Sequence, residues 1–384
     1  SAERVRQDPL FRTGRTIVMS MTLDEIANEV NSYLKSEPFA ESSESKNGSF
    51  LSVLNSLTEF HMDNCLEYGK IVRIVHPFRG LPSVLTDVPF IPVRLFKSLD
   101  MRSVPQESVM KTMTSSGTTG QQVSRIYLDR HTALAQTRAL TQIMASVIGK
   151  GRHPMLIADT ESVVKDRNQF SARGAGIRGF SMFGRDVEYM LDEKMEIRVD
   201  AVQEFLLRHS GQPVFVFGFT YMVWEHICEE LARRGKRLDL SRGILLHGGG
   251  WKKLASLNID NDTFRNRALE VLGLEKVVNY YGMVEQTGSI FPECEHGRLH
   301  CSAYADILVR DPMTLKEVPD GTEGILQLLS VLPMSYPGHS ILTEDLGLIT
   351  GRDDCPCGRQ GRTFAVLGRL KDAEIRGCSE TFAA

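Results

Sequence analysis

From residue 125 to about 290, short apolar runs alternate with stretches whose apolar positions recur at helical spacing. The runs are Met155-Leu156-Ile157-Ala158, Val214-Phe215-Val216-Phe217-Gly218, Gly243-Ile244-Leu245-Leu246-His247 and Lys276-Val277-Val278-Asn279-Tyr280. Helical patterning at roughly 131–148, 200–210, 220–234 and 262–273 separates them. This rhythm predicts an α/β fold around a parallel sheet, with ligand sites at the carboxyl ends of the strands. The pattern changes over residues 299–370. There, Ala305-Asp306-Ile307-Leu308-Val309 and Gly324-Ile325-Leu326-Gln327-Leu328-Leu329 lie between Gly/Pro turns and predict antiparallel strands in a small barrel or distorted sheet. Near the start, Leu23, Ile26, Val30 and Leu34 mark a helix over 22–35, with Thr22 as N-cap. Residues 37–49 read as a loop, 50–75 as helical and 81–92 as an extended, proline-punctuated segment. Three regions result: an N-terminal helical segment (1–110), an α/β region (111–298) and a barrel-like subdomain with a C-terminal tail (299–384).

With 384 residues, 42% of them hydrophobic and 24% charged, the chain can build a substantial globular core. A net charge of −3 argues against nucleic-acid binding by phosphate neutralisation. No apolar run reaches the length of a membrane span, and no apolar signal region opens the chain, so a cytoplasmic location is expected. The seven cysteines are unevenly spaced and cluster late, which favours metal or thiol chemistry over a disulfide framework.

The chemistry is concentrated in a few segments. Thr112-Met113-Thr114-Ser115-Ser116-Gly117-Thr118-Thr119-Gly120 combines hydroxyl donors with glycines that let backbone N–H groups approach a phosphate. No Lys follows Gly120, so this is not the P-loop pattern. Gly248-Gly249-Gly250 follows a predicted strand and can bring backbone against a ligand. Phe217, Phe219, Gly250 and Trp251 are candidates for an acyl pocket. Cys294-x-His296-x3-His300-Cys301 and Cys355-Pro356-Cys357-Gly358 form two soft-ligand groups suited to tetrahedral zinc. The preferred set is Cys294, His300, Cys355 and Cys357, with His296 or Cys301 as substitutes. Four protein ligands would make the site structural.

The run at 112–120 resembles the phosphate-binding loop of the adenylate-forming enzymes, the superfamily of acyl- and aryl-CoA ligases, adenylation domains and luciferases. Three further segments follow in the expected order over roughly 260 residues. Asn279-Tyr280-Tyr281-Gly282-Met283-Val284-Glu285 resembles Y-G-x-T-E, Thr343-Glu344-Asp345-Leu346-Gly347 resembles T-G-D-L-G, and Gly368-Arg369-Leu370-Lys371-Asp372 resembles G-R-x-K-D. The resemblance implies acyl-adenylate formation from ATP, magnesium and a carboxylic acid. It places Ser115, Ser116, Gly117, Thr118, Thr119 and Gly120 on the triphosphate and Glu285 on magnesium. Tyr281 and Gly282 fall against adenine with Gly248 and Gly249, Asp345 on the ribose hydroxyls, and Arg369 near ribose and phosphate. Val284 departs from the usual Thr, although Thr287 lies close by. Only Ala373 to Ala384 follow the last motif, so the superfamily's small mobile domain and its lysine are expected to be absent.

Arg376-Gly377-Cys378-Ser379-Glu380-Thr381-Phe382, His247–Lys252 and Pro89–Val93 resemble the LuxE-type acyl-protein synthetases. In that family a cysteine near the C-terminus accepts the acyl group as a thioester and passes it to an acyl reductase partner. Cys378 occupies the matching place, with Lys371 and Arg376 nearby to favour its thiolate. The Cys355-Pro356-Cys357-Gly358 segment is similar to one in phenylacetate-CoA ligase-like enzymes, some of which bind zinc there. The expected function is ATP-dependent activation of a carboxylic acid, a fatty acid by this resemblance, and transfer to Cys378 for delivery to an acyl reductase. Two alternatives remain: an adenylating enzyme delivering to coenzyme A, a carrier protein or an amine, and a non-catalytic adenylate-binding protein.

Overall fold

The computed structural model describes residues 21–76, 80–115, 123–165, 172–249 and 251–370. Helix α1 (Leu23–Tyr33) starts in a capping box: Thr22 Oγ1 accepts from Glu25 N–H, and the Glu25 carboxylate accepts from Thr22 N–H at 2.7 Å. Helix α2 (Ser43–Asn64) begins inside the segment expected to be a loop, because Ser42 caps it through Ser45 N–H. The expected helix over 50–75 is broken at Cys65, whose extended backbone separates α2 from α3 (Leu66–Val75).

A short strand β1 (Ile91–Pro92) precedes a hairpin of β2 (Lys111–Thr114) and β3 (Arg125–Leu128). The helix Arg130–Ile148, capped by Asp129 and ended at Gly149, leads into a sheet of β4 (His153–Ile157), β5 (Gly184–Tyr189), β6 (Val214–Phe219), β7 (Gly243–Gly248), β8 (Lys276–Tyr281) and β9 (Phe291–Pro292). Its order is β5-β4-β6-β7-β8-β9, parallel except for β9. The four apolar runs are β4, β6, β7 and β8. Strand β5 carried no such signal, because Arg185, Asp186 and Glu188 sit on an edge where one side faces solvent. The helical pattern after β6 forms as Thr220–Val223, a π-turn Trp224–Cys228 and Glu229–Arg233.

The second sheet contains β10 (Leu299–His300), β11 (Ala305–Arg310), β12 (Gly324–Ser330), β13 (Ser340–Arg352) and β14 (Arg362–Arg369). They pair antiparallel in the order β10-β14-β13-β12-β11, and β1 joins β13 in parallel. Alternation in β11 and β12 does not mean one wet face, since every residue of both is buried. Asp306 is buried because α2 covers it. Lys46 Nζ lies 3.2 Å from its carboxylate, Arg362 Nη1 lies 2.8 Å away, and Lys46 also donates to the carbonyls of Ser302 and Ala305. Buried ions need such partners to offset lost hydration. No described helix is long and apolar enough to cross a membrane.

Candidate adenylate site and cysteine–histidine cluster

Ser116, Gly117, Thr118, Thr119, Gly120, Gly250 and Cys378 lie outside the described residues. The neck of the hydroxyl-rich loop is defined: Ser115 N–H donates to Ser124 O, and Ser115 Oγ accepts from Ser124 N–H at 2.9 Å. These bonds extend the β2–β3 hairpin to the base of the loop.

Glu285 sits on a short turn, Val284–Gln286, just after β8, and is only 6% exposed. Burial raises its carboxyl above the usual range, while Ser124 and the Lys97 and Arg369 charges pull the other way. The turn is braced from behind. Tyr336 donates to Glu285 O at 3.0 Å, Gln136 Nε2 donates to the Tyr336 hydroxyl, and Gln286 donates to Gly338 O at 2.8 Å. A side chain at Gly338 would bring a Cβ within 2.8 Å of Glu285 O and closer still to the Tyr336 ring. Thr287, the hydroxyl nearest the Thr-to-Val departure, donates to Val284 O at 2.8 Å and lies 3.9 Å from Met113 Sδ on β2. Hairpin and turn therefore adjoin.

The third motif faces the second. Asp345 on β13 is in register with Arg369 on β14, and Arg369 Nε donates to Asp345 Oδ1 at 3.0 Å. The Tyr281 hydroxyl, from the end of β8, donates to Asp345 Oδ2 at 2.6 Å. Its ring packs at 6.2 Å from Phe291 and 6.0 Å from Phe364, centroid to centroid. Burial first, then the Asp345 charge, hold the Tyr281 phenol well above its ordinary pKa, so it remains a donor. Glu344, beside Asp345, is held by Arg94 at 3.0 Å. Gly282 is exposed at the strand end.

Gly248 ends β7, and Gly249 adopts φ 71°. A Cβ on Gly248 would stand 2.7 Å from Tyr280 O, so only glycine permits this approach of β7 and β8. Phe217 is fully buried with its ring stacked 4.5 Å from Phe180, and Phe219 lies edge-on to it at 5.9 Å. Trp251 Nε1 reaches Asn279 Oδ1 at 3.4 Å. These aromatic residues line the carboxyl ends of β6 to β8.

The fold also gathers Cys294, His300, Cys355 and Cys357, whose donor atoms all lie within 4.8 Å of one another. Cys294 Sγ is 3.6 Å from Cys355 Sγ, and Cys357 Sγ is 3.4 Å from His300 Nε2. A zinc tetrahedron with bonds of about 2.3 Å to sulfur has sulfur–sulfur edges of about 3.8 Å. Burial, then Arg359 and Arg298, lower His300 to about 4, leaving the neutral imidazole a metal requires. Burial and the neighbouring thiols push Cys355 up, a cost that a bound dication would reverse. These residues fit a metal ion. His296 is exposed and Cys301 is buried outside this group.

Ser124, Gln136, Tyr336 and Arg94 were not singled out by sequence. Ser124 closes the hydroxyl loop nine residues from Ser115 but carries no pattern of its own, while Gln136, Tyr336 and Arg94 are ordinary residues 51 or more positions from the residues they contact.

The two sheets match a known architecture. An open conformation of 2-hydroxyisobutyryl-CoA ligase in complex with 2-HIB-AMP and CoA superposes with a TM-score of 0.66 at 17% identity, over 88% of this chain and 78% of that one. The protein thus has the fold of an adenylate-forming enzyme. The family model for acyl-protein synthetase, LuxE, matches residues 17–384, and the chain belongs to that family of ligases. Among its relatives, the long-chain-fatty-acid–luciferin-component ligase of Vibrio harveyi is 24% identical over 305 residues, 77% of each chain. The phenylacetate-coenzyme A ligase of Thermus thermophilus is 26% identical over 319 residues, 78% of this chain and 63% of the relative.

Proposed function

We propose that this acid-activating ligase uses ATP to convert a fatty acid to its acyl-adenylate, then takes the acyl group onto Cys378 for delivery to an acyl reductase. The observation that carries the reading is the meeting of the hairpin neck at Ser115, the buried Glu285 and the Tyr281–Asp345–Arg369 group around the end of β8. Family membership and the fatty-acid ligase relative support the substrate class.

In the first half-reaction a carboxylate oxygen attacks the α-phosphorus, the bond to the bridging β-oxygen breaks, and pyrophosphate leaves. Backbone N–H groups and hydroxyls of the 115–120 loop hold the triphosphate. Asp345 accepts the ribose hydroxyls, and Arg369 adds positive charge beside them. Glu285 would hold magnesium, which when bound neutralises phosphate charge; a buried carboxylate that burial disfavours as an anion fits a cation neighbour. In the second half-reaction the Cys378 thiolate attacks the acyl carbon, the bond to AMP breaks, and AMP leaves. Leu370 is anchored to Glu344 O at 3.0 Å, and Cys378 follows by eight residues, so covalent geometry gives the thiol a reach of about 28 Å from the Asp345 strand. Cys294, His300, Cys355 and Cys357 would hold a structural zinc, which would pin β10 to the turn before β14.

The test incubates the protein with ATP, magnesium and a panel of fatty and aryl acids. Acid-dependent exchange of pyrophosphate into ATP and added mass on the Cys378 peptide are expected. Cys378→Ser should keep exchange and lose the label. Label on another cysteine, or label that survives the substitution, would leave coenzyme A or a carrier protein as the better acceptor.

A further inference from the structure

Asp345 carries the recognition of ribose in the reading above, and the following inference rests on that reading. A carboxylate on an antiparallel strand can rotate about two torsions, so binding a vicinal diol needs its plane fixed in advance. Among the described residues, three side chains hydrogen-bond to Asp345. Arg369 Nε donates to Oδ1 at 3.0 Å, the Asp345 backbone N–H donates to Thr343 Oγ1 at 3.1 Å, and the Tyr281 hydroxyl donates to Oδ2 at 2.6 Å. The first two belong to the same sheet, β13 and β14. Tyr281 comes from β8 of the other sheet. Its ring packs beside Phe291 and Phe364, which meet edge-on 5.2 Å from each other, and this aromatic cluster holds the hydroxyl at Asp345.

We propose that Tyr281 is a positioning residue whose hydroxyl fixes the Asp345 carboxylate plane for the ribose diol and thereby sets selectivity for ribonucleotides over deoxyribonucleotides. Each carboxylate oxygen keeps a lone pair after accepting its protein bond, so both still accept a ribose hydroxyl. The phenol also ties the two sheets together at the nucleotide, which makes the orientation of Asp345 depend on their register. A flat ring against adenine needs no hydroxyl, so this role separates from stacking.

The test measures binding of ATP and of 2′-deoxy-ATP, each with magnesium and without any acid, by titration calorimetry. Wild type should prefer ATP by about tenfold, the order expected for one charge-assisted hydrogen bond. Tyr281→Phe keeps the ring packed against Phe291 and Phe364, so thermal unfolding should stay close to wild type. Its preference should fall to within about twofold, because the affinity for ATP drops more than that for 2′-deoxy-ATP, which keeps only the 3′-hydroxyl. Asp345→Ala should abolish the preference as well. Full preference in Tyr281→Phe combined with its loss in Asp345→Ala overturns the positioning role and leaves the ribose reading intact. Preference retained in both variants, or absent from wild type, removes Asp345 from the ribose and the proposal with it.

Discussion

Cys294 and Cys355, 61 residues apart in sequence, bring their sulfurs to 3.6 Å. One precedes β10 and the other lies in the turn between β13 and β14, so the contact fastens the edge of the antiparallel sheet. Metal analysis of the purified protein should find close to one zinc per chain. Cys355→Ser should lose it and lower the thermal midpoint by about 5 °C or more, because metal binding is linked to folding. Native protein that is metal-free with all its thiols titratable would end the zinc assignment.

Glu285 should impose an acid limb on pyrophosphate exchange. In the metal-free protein burial raises its carboxyl, so protons compete with magnesium for it over a range above that of an exposed Glu. Exchange should rise with pH as the metal binds, with higher magnesium shifting the limb to lower pH. Glu285→Gln should erase the limb and slow exchange roughly a hundredfold, about 2.7 kcal/mol. An unaltered pH profile in that variant removes Glu285 from the metal role.

The buried Lys46–Asp306–Arg362 group should govern acid stability. Burial alone would raise the Asp306 pKa, but Arg362 and Lys46 outweigh it and lower the carboxyl from 3.8 to about 2. A depressed folded value means stability that is fully present above about pH 4 and lost as pH falls towards 2. Asp306→Asn strands two buried cations and should cost about 3–5 kcal/mol near pH 7 in chemical denaturation. The gap between variant and wild type should narrow below pH 4; a constant gap would mean the aspartate charge is not the source.

Gly338→Ala tests the brace behind Glu285. The added Cβ would meet Glu285 O at 2.8 Å and press on the buried Tyr336 ring. Stability should fall by about 1–3 kcal/mol. Exchange activity should fall further than Ala substitution at exposed Gly48 causes, since open space surrounds that helical position. Equal activity in the two variants would show that the brace does not set the Glu285 turn.

Four strands of the central sheet and the helix of residues 130–148 were legible because buried parallel strands are apolar runs and packed helices are periodic, both local properties. The capping box at Thr22 and Glu25 was equally local. Strand β5 and the early start of α2 were not legible. One is a polar edge, and the other depends on Ser42 capping a helix whose first turns carry Lys46 into the interior.

The sequence by itself determined the alternation of elements, the order of the four chemical motifs and the presence of two cysteine-bearing groups. Only the tertiary structure decided which partners those groups keep. His300 and Cys301 are adjacent, and successive residues of an extended chain point to opposite sides, so spacing could not choose between them. The pairing of His300 with Thr363 turns the imidazole towards Cys357, while Cys301 lies near Asp306. Likewise, Tyr281 and Asp345 sit in separate motifs 64 residues apart, and their 2.6 Å bond exists only because the two sheets meet there. Local periodicity is written in neighbouring residues, whereas a carboxylate's orientation is set by whatever the rest of the chain packs beside it.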